Sequence, residues 1–327
     1  MNYRSVSDLS DLVNKKAGII PQDIELIVGI PRSGMLVASI IALKLNLPLI
    51  DLGSFLRNDA LRRGSTRTYK HGQLQHAWEA RKILLVDDSI ASGAAMQEAI
   101  GKVMEVYPGA ILTLAAFATP GNSHRVDLHF ETLEQPRVFE WNIMHHHFIE
   151  SACLDIDGVL CEDPTAEQND DGPRYIDFLL HAKPLFIPSV KVAHLVTSRL
   201  EKYRPQTEAW LAAHRVQYEQ LHMLDLPSAE ERRRLNMHHR FKAEVYGRMH
   251  ASMLFVESEQ RQALEIMLQS NKPVYCIENN RMYVPGQSFA TLQVLALRKA
   301  GSFKRRLIDK VRRLLGRGIR PIDSNNA

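Results

Sequence analysis

Short apolar runs alternate with helical stretches along the first half of the chain. The runs 24–30, 82–86 and 110–118 predict strands, because each is short and apolar. The stretches 34–45 and 93–106 predict helices. Strands and helices in alternation are typical of parallel βαβ units, so this half of the chain predicts an α/β domain.

The same alternation begins again near residue 150. The expected elements are strands over 152–156, 190–196, 253–256 and 274–277, with helices over 206–214 and from 259 onward. The last of these runs is predicted to be the final strand. The pattern therefore predicts two Rossmann-like parallel-sheet domains, over 1–149 and 150–297, followed by a tail over 298–327.

The composition changes this picture little. A chain of 327 residues has room for two domains, and 45% hydrophobic with 24% charged residues is ordinary for a globular protein. No signal peptide is expected at the start, and no apolar run approaches the roughly 20 residues that span a bilayer. Cys153, Cys161 and Cys276 form no spaced framework, which favours reduced thiols in a cytoplasmic protein.

The net charge of +4 is unevenly distributed. The segment 301–320 holds eight basic residues and one acid, so it carries +7 and leaves −3 for the rest of the chain. The body therefore gives no indication of nucleic-acid binding. Apolar residues of this segment fall at helical spacing: Phe303, Leu307, Val311, Leu314 and Leu315. They predict a basic amphipathic helix that lies on an anionic membrane, although a docked terminal helix or a disordered tail is the alternative.

A first pair of acids stands at the end of a predicted strand. Asp87 and Asp88 follow an apolar run, and small residues then lead into a helix. Carboxylates at this edge of a parallel sheet are well placed to accept hydrogen bonds from sugar hydroxyls. A turn that opens a helix presents backbone N–H groups to a phosphate. The predicted site is completed by Ser89, Ala91, Ser92, Gly93, Ala94 and Ala95.

This run resembles the signature of type I phosphoribosyltransferases, which bind phosphoribosyl pyrophosphate (PRPP). The resemblance implies that Asp87 and Asp88 hold the ribose 2′ and 3′ hydroxyls, and that the loop 91–95 holds the 5-phosphate. Ala94 and Ala95 supply no hydroxyl where the family often has Thr or Ser. Backbone donors would therefore have to bind the phosphate.

Two upstream segments extend the resemblance. The turn Pro31, Arg32, Ser33 and Gly34 resembles the pyrophosphate loop of the family, with Arg32 set to meet the pyrophosphate. The basic stretch 57–72 has the position of the loop that closes over PRPP. Taken singly, an Asp-Asp pair also suits a Mg²⁺ or response-regulator site, and a basic loop is usually a solvated surface. The order and spacing of all three favour the phosphoribosyltransferase fold.

A second acid pair lies at the start of the second domain, in Asp-Ile-Asp-Gly-Val-Leu over 155–160. Two acids at this spacing, where a strand gives way to a turn, can line one Mg²⁺ site. The motif resembles motif I of the haloacid dehalogenase (HAD) phosphatases. The resemblance implies that Asp155 forms an aspartyl-phosphate and that Asp157 protonates the leaving alcohol and then activates water.

The remaining HAD motifs follow in order. Thr197 matches the hydroxyl that binds the phosphoryl group, and Lys242 matches the cation that neutralises phosphate and nucleophile. Glu257 or Glu259 matches the acid that completes the metal site, where the family more often has Asp; Glu257 is the expected ligand. The predicted Mg²⁺ ligands are thus Asp155, Asp157 and Glu257. Only a small insertion fits between 160 and 190, which predicts little or no cap and an open site for a bulky substrate.

The segment 120–149 occupies the position at which type I phosphoribosyltransferases carry the hood, the part of the domain that recognises the acceptor. It contains Arg125, Trp141 and the three histidines His145, His146 and His147, but no nucleobase-specific hood can be identified. We interpret the three histidines as solvated residues at the end of a strand rather than as a metal site.

The fusion predicts a transfer followed by a dephosphorylation. It resembles the enzyme pair that installs ribofuranose in bacterial surface polysaccharides, in which PRPP reacts with a hydroxyl of a lipid-linked glycan and the 5-phosphate is then removed. The resemblance implies a cytoplasmic enzyme at the inner face of the membrane, and a homodimer is compatible with it. The alternatives are a nucleobase phosphoribosyltransferase fused to a nucleotidase, and a PRPP-sensing module that regulates a phosphatase.

Overall fold

The computed structural model describes residues 1–62, 74–169 and 171–286. The chain divides into two compact units. The first is Met1–Glu150 with Phe186–Val192, and the second is Ser151–Leu185 with the residues from 193 onward. The predicted amphipathic tail and most of the basic stretch lie outside the described residues, so both stay predictions.

The first unit is built on a five-stranded parallel sheet. Its strands are Leu26–Gly29 (β2), Leu49–Asp51 (β3), Lys82–Ile90 (β4), Ala110–Ala118 (β5) and Leu128–Thr132 (β6), in the order β3-β2-β4-β5-β6. A separate parallel pair joins Asn2–Arg4 (β1) to Arg137–Phe139 (β7). The helices are Val6–Lys16 (α1), Ser33–Leu45 (α2), Leu52–Leu56 (α3) and Ala94–Val106 (α4).

Strand β4 is apolar on both faces because helices cover both sides of the sheet. Leu84 and Val86 pack in one core with Val37 and Ile41 of α2 and with α1. Ile83 and Leu85 face the opposite way, into a second core that includes helix α4. This double burial explains why the strand is a continuous apolar run in the sequence.

Strand β4 ends later than the sequence predicts. It continues past Val86 through Asp87 and Asp88 to Ile90, because β5 continues to pair with it as far as Ala118. Helix α4 begins at Ala94, so the predicted phosphate loop is shorter than 91–95 and its last two residues belong to the first helical turn.

The second unit contains a six-stranded sheet. Its strands are Cys153–Leu154 (β8), Val192–Leu200 (β9), Tyr218–Leu224 (β10), Phe255–Glu257 (β11), Val274–Cys276 (β12) and Arg281–Tyr283 (β13), in the order β10-β9-β8-β11-β12-β13. The pairs β8–β9, β8–β11 and β11–β12 are parallel. The helices are Pro173–His181 (α5), Arg204–Ala213 (α6), Ala229–Arg234 (α7), Met237–Arg248 (α8) and Gln260–Ser270 (α9).

The prediction that 274–277 forms the final strand is wrong. Strand β13 follows it and pairs antiparallel with β12 at the edge of the sheet. Three residues are too few to show a period-two pattern in the sequence. The chain reverses through Asn280, whose φ of 51° is one that asparagine tolerates better than most residues.

The predicted fold class is confirmed: the chain is an α/β protein with two domains built on parallel sheets. All three cysteines are buried and free. Within 1–62, 74–169 and 171–286, no helix is long and apolar enough to cross a membrane.

Candidate active sites

The first acid pair is buried at the carboxyl end of β4. Asp87 and Asp88 are 9% and 7% exposed, and the Asp88 backbone N–H donates to Asp87 Oδ1 at 2.8 Å. The turn at the start of α2 packs against them. A Cβ atom on Gly34 would lie 2.7 Å from the Val86 carbonyl oxygen and 3.1 Å from Asp87 Oδ1, so only glycine allows this approach.

The two predicted PRPP motifs are therefore in contact. Pro31 and Arg32 are exposed and directly precede α2. Ser33 is half-buried at the first position of α2. The peptide bond between Pro31 and Arg32 is cis. The exposed Arg32 side chain is available to an anion, while the neighbouring Gly34 lets the turn reach Asp87.

The two carboxyl groups differ in their surroundings. Burial raises the pKa of Asp87 to about 7, and the negative charge of Asp88 adds to this rise. Burial also raises the pKa of Asp88, but the Trp141 indole and the charge of Arg137 act in the opposite direction. Burial thus favours the protonated form of both carboxyl groups, which titrate as a pair, whereas the Trp141 indole and Arg137 favour ionisation of Asp88.

Trp141 fixes the orientation of Asp88. Its indole Nε1 donates a hydrogen bond of 2.9 Å to Asp88 Oδ2. The indole stacks on Phe139 with ring centroids 4.8 Å apart and planes 8° apart, and Phe139 stacks on Phe117 at 5.0 Å. Sequence analysis placed Trp141 in the hood but missed this contact, because 53 residues separate the tryptophan from the acid.

The loop after the acid pair is braced by the segment that follows β5. Asn122 Nδ2 donates to the Ala91 carbonyl oxygen at 2.6 Å, and Arg125 Nε donates to Asn122 Oδ1 at 3.0 Å. The Arg125 side chain lies against Gly93, which has φ of 82° and precedes α4. Ser92 Oγ accepts from the Ala94 N–H at 3.3 Å. Asn122 and Arg125 thus hold the loop in place. The contact between Arg125 and this loop was not predicted from the sequence.

Two other predictions concern the same unit. Arg57 pairs with Asp59 at 2.7 Å on the surface, whereas residues 63–72 of the basic stretch lie outside the described part of the chain. His145 and His147 lie in two 3₁₀ helices and are exposed, and His146 lies between these helices, so the expected strand end is not found there. The rings of His146 and His147 are 4.1 Å apart.

The second site brings together four separate segments. Lys242 Nζ on α8 donates to Asp155 Oδ2 at 2.6 Å and to Glu257 Oε2 at 2.8 Å. A third hydrogen bond reaches Gln262 Oε1 at 3.2 Å. Asp155, Lys242 and Glu257 are all buried, at 4%, 2% and 0% exposure. Lys242 thus connects Asp155 to Glu257 rather than to Glu259.

The charges of this buried cluster are coupled. Burial raises the pKa of Asp155 to about 8, although Lys242 lowers it. Burial alone would lower the pKa of Lys242, but the two carboxylates outweigh that effect and raise it. The lysine is therefore charged, and its ammonium group is shared between two acids.

Asp157 has a different partner. Arg199 Nη2 donates to Asp157 Oδ1 at 2.6 Å, and the arginine side chain is fully buried. The charge of Asp157 outweighs the effect of burial and raises the pKa of Arg199. This contact spans 42 residues and was not predicted.

A cavity of about 210 Å³ opens beside these residues. Asp155, Asp157 and Lys242, three of the predicted site residues, line it together. Thr197 is fully buried, and its Oγ1 accepts the Arg199 backbone N–H at 3.2 Å, whereas the next residue, Ser198, reaches the cavity. The structure therefore leaves two hydroxyl groups at this strand end, and Ser198 is the one that lines the cavity.

The insertion between 160 and 190 contributes to the cavity wall. Asp163, Asn169 and Tyr175 line it, and Tyr175 lies on α5, which is part of this insertion. Burial raises the pKa of Asp163, and the negative charge of Asp157 acts in the same direction. The small insertion thus shapes the site, and the cavity is rich in negative charge.

The donor set suits a magnesium ion held by few protein ligands. Among the described residues, Asp155 Oδ1 accepts the Ile156 N–H alone, at 2.8 Å, and Glu257 Oε1 accepts groups of the next two residues, the nearest at 3.0 Å. Mg²⁺ is commonly bound by one or two carboxylates together with substrate phosphate and water. Across the described residues, no three His, Cys, Asp or Glu side chains are arranged to hold a metal ion. Asp155 and Glu257 would thus hold it, while Asp157 is engaged with Arg199.

Comparisons with known proteins found similarities to the first unit. Residues 4–146 match the family model described as a phosphoribosyl transferase domain. Among solved structures, a purine phosphoribosyltransferase from Pyrococcus horikoshii Ot3 is 19% identical, with 43% of this chain and 92% of that chain covered and a TM-score of 0.31. The Helicobacter pylori xanthine-guanine-hypoxanthine phosphoribosyltransferase is 17% identical, with the same coverage and a TM-score of 0.33. No curated protein sequence matches the chain. Residues 4–146 of this α/β protein are therefore similar to phosphoribosyl transferase domains.

Proposed function

We propose that the chain transfers the 5-phosphoribosyl group of PRPP to a hydroxyl group of a glycan and then removes the 5-phosphate. One observation carries the proposal: the phosphoribosyl transferase domain shares its chain with a cavity in which Lys242 bridges Asp155 and Glu257. The product of phosphoribosyl transfer is a phosphate monoester. A buried nucleophilic carboxylate beside a lysine is suited to hydrolysing that class of compound.

In the transfer step the ribose lies against the first acid pair. Asp87 and Asp88 accept hydrogen bonds from the ribose hydroxyls, the loop before α4 holds the 5-phosphate, and Arg32 binds the pyrophosphate. The acceptor oxygen attacks C1 from the face opposite the pyrophosphate, through an oxocarbenium-like state. The C1–O bond to pyrophosphate breaks, pyrophosphate leaves with the electron pair, and the proton of the acceptor hydroxyl passes to water. Bound Mg²⁺ would neutralise part of the charge on the diphosphate.

In the hydrolysis step a carboxylate oxygen of Asp155 attacks phosphorus, and the ester bond to the ribose oxygen breaks. Asp157 gives a proton to that oxygen and later takes one from the water that cleaves the aspartyl-phosphate. Lys242 offsets charge on the phosphoryl group, and Thr197 or Ser198 donates to its oxygens. Bound Mg²⁺ would offset further charge there. The Arg199 pair must loosen when Asp157 is to carry the proton.

The aromatic stack beside Asp88 favours one alternative acceptor. Trp141, Phe139 and Phe117 form a flat surface near the ribose acids, and such a surface could stack a nucleobase. Purified protein with PRPP should release pyrophosphate when a glycan acceptor is added. Release with a nucleobase and none with the glycan would replace our proposal with a nucleobase phosphoribosyltransferase fused to a nucleotidase.

The predicted C-terminal tail extends the proposal to the membrane. A basic amphipathic helix over 303–315 would hold the enzyme at an anionic membrane surface, where a lipid-linked glycan is presented. This location, the lipid-linked acceptor and a homodimer follow from the sequence and the resemblance alone.

Replacing Trp141 by phenylalanine should weaken PRPP binding. Trp141→Phe keeps an aromatic ring against Phe139 but removes the indole donor to Asp88. A lost hydrogen bond to a charged group predicts a KM for PRPP raised by about 10-fold. Steady-state pyrophosphate release measures this change. Trp78→Phe is the matched control, because the Trp78 indole donates to the Phe55 carbonyl oxygen instead. An equal effect of both variants would refute a specific role for Trp141.

Transferase activity should depend on pH through Asp87. Because the pKa of Asp87 is raised to about 7, the carboxyl is protonated below that pH and is then a weaker acceptor for the ribose hydroxyls. We expect kcat/KM for PRPP to rise as pH increases through about 7, and to fall about tenfold per pH unit below it. In Asp87→Asn the residual activity should lack this inflection. A variant profile that keeps the inflection would assign it to another group, such as the substrate phosphate.

A further inference from the structure

Arg232 is a buried cation in the wall of the second cavity. It lies on α7, is 6% exposed, and lines the cavity together with Asp155 and Lys242. Its Nη1 donates to the Ser198 carbonyl oxygen at 2.7 Å. Its Nε is buried and has no hydrogen-bond partner among the residues that the structure describes.

The other cations of this site already have counter-charges. Lys242 is paired with Asp155 and Glu257, and Arg199 with Asp157. In the described part of the chain Arg232 has no carboxylate partner; its known neighbours are the Ser198 carbonyl and the Tyr175 hydroxyl. Burial raises the pKa of Tyr175, so that hydroxyl is neutral and supplies no negative charge. A buried charge without a counter-charge is unfavourable, which points to an anion that is bound when the site works.

The geometry of the guanidinium indicates the kind of anion. A guanidinium group can bind two oxygens of one carboxylate or phosphate. Nη1 of Arg232 donates to the Ser198 carbonyl oxygen. Asp155, Asp157 and Asp163 already line the cavity, so a phosphate group, and not a further protein carboxylate, is the anion that Arg232 lacks.

We infer that Arg232 binds the phosphate of the substrate in the second cavity. The inference rests on the proposed phosphatase function and deepens it, since it adds a binding residue outside the four matched motifs. Arg232 would hold the phosphate oxygens in place while Asp155 attacks phosphorus. Its hydrogen bond to Ser198 would fix its position relative to the hydroxyl groups of Thr197 and Ser198.

The test compares Arg232→Gln and Arg232→Lys with Arg233→Gln in the full-length protein. Arg233 is the next residue on α7 and is exposed, so it controls for a lost charge on the same helix. Arg232→Lys can still donate to the Ser198 carbonyl oxygen, but an ammonium group cannot bind two phosphate oxygens in the bidentate manner of a guanidinium. This variant therefore separates phosphate binding from a structural role. The readouts are hydrolysis of ribose 5-phosphate, calorimetric binding of inorganic phosphate, and thermal melting.

We expect both Arg232 variants to raise the KM and to weaken phosphate binding by about 10- to 100-fold, with Arg233→Gln unchanged. Unchanged KM and phosphate affinity in folded Arg232→Lys and Arg232→Gln would overturn the inference and leave the phosphatase intact. If no protein hydrolyses ribose 5-phosphate, the proposed phosphatase is wrong. Loss of phosphate binding confined to the Arg232 variants would then still support the anion site.

Discussion

Asp155→Asn is expected to stop phosphate release and to leave pyrophosphate release intact. An amide has no nucleophilic carboxylate oxygen, so the aspartyl-phosphate cannot form, and we expect the hydrolytic rate to fall by at least about 10³-fold. The transferase site lies in a different unit and keeps its own residues. Mass spectrometry should then detect an acceptor that carries ribose with its phosphate still attached.

The fold must be checked in this variant because Asp155 is buried beside Lys242. Removing one partner of a buried ion pair can cost about 3–5 kcal/mol, although Asn keeps an acceptor oxygen and Lys242 keeps Glu257. Thermal melting monitors this cost. Asp177→Asn is the control, since Asp177 lies on α5 with its side chain 75% exposed. Phosphate release by folded Asp155→Asn at the rate of the control would contradict the assigned nucleophile.

The double replacement of Asp87 and Asp88 by asparagine should have the opposite effect. Without two carboxylates the ribose hydroxyls lose their charged acceptors, and we expect pyrophosphate release to fall by about 10²-fold or more. Hydrolysis of ribose 5-phosphate should continue. Parallel assays of pyrophosphate and phosphate on the same preparation measure both effects.

This double variant also separates an enzyme from a sensor. If the first domain only sensed PRPP, the variant would lose the PRPP dependence of the phosphatase, and the wild type would release no pyrophosphate with any acceptor. Asp11→Asn serves as the control, because Asp11 is an exposed acid on α1. Pyrophosphate release that survives in the double variant would show that the acids do not hold the ribose.

Local patterns predicted the positions of both acid pairs. An apolar run that ends in acids and small residues identifies a strand end, and the carboxyl ends of parallel strands share one edge of a sheet. This is why Asp87 with Asp88, and Asp155 with Asp157, could be placed before the structure was known. The strand end itself was misjudged: β4 continues to Ile90, because pairing with β5 decides where it stops.

Contacts across long stretches of chain could not be predicted in the same way. Trp141 meets Asp88 and Arg199 meets Asp157 over 53 and 42 residues, and no periodicity relates such positions. Lys242 and Glu257 were placed through a resemblance, and their meeting at Asp155 depends on how α8 packs on the sheet. No sequence pattern pointed to Arg232, because the sequence alone does not distinguish a buried arginine from an exposed one.

The central claim is that one chain first adds a phosphorylated ribose and then removes its phosphate. Its most direct test is a single reaction with protein, PRPP and a glycan acceptor, sampled over time for pyrophosphate, phosphate and product mass. We predict that pyrophosphate appears first, that phosphate follows in equal amount, and that the final product is heavier than the acceptor by one pentose without phosphate. A product that keeps its phosphate, or phosphate released without transfer to the acceptor, would contradict the account.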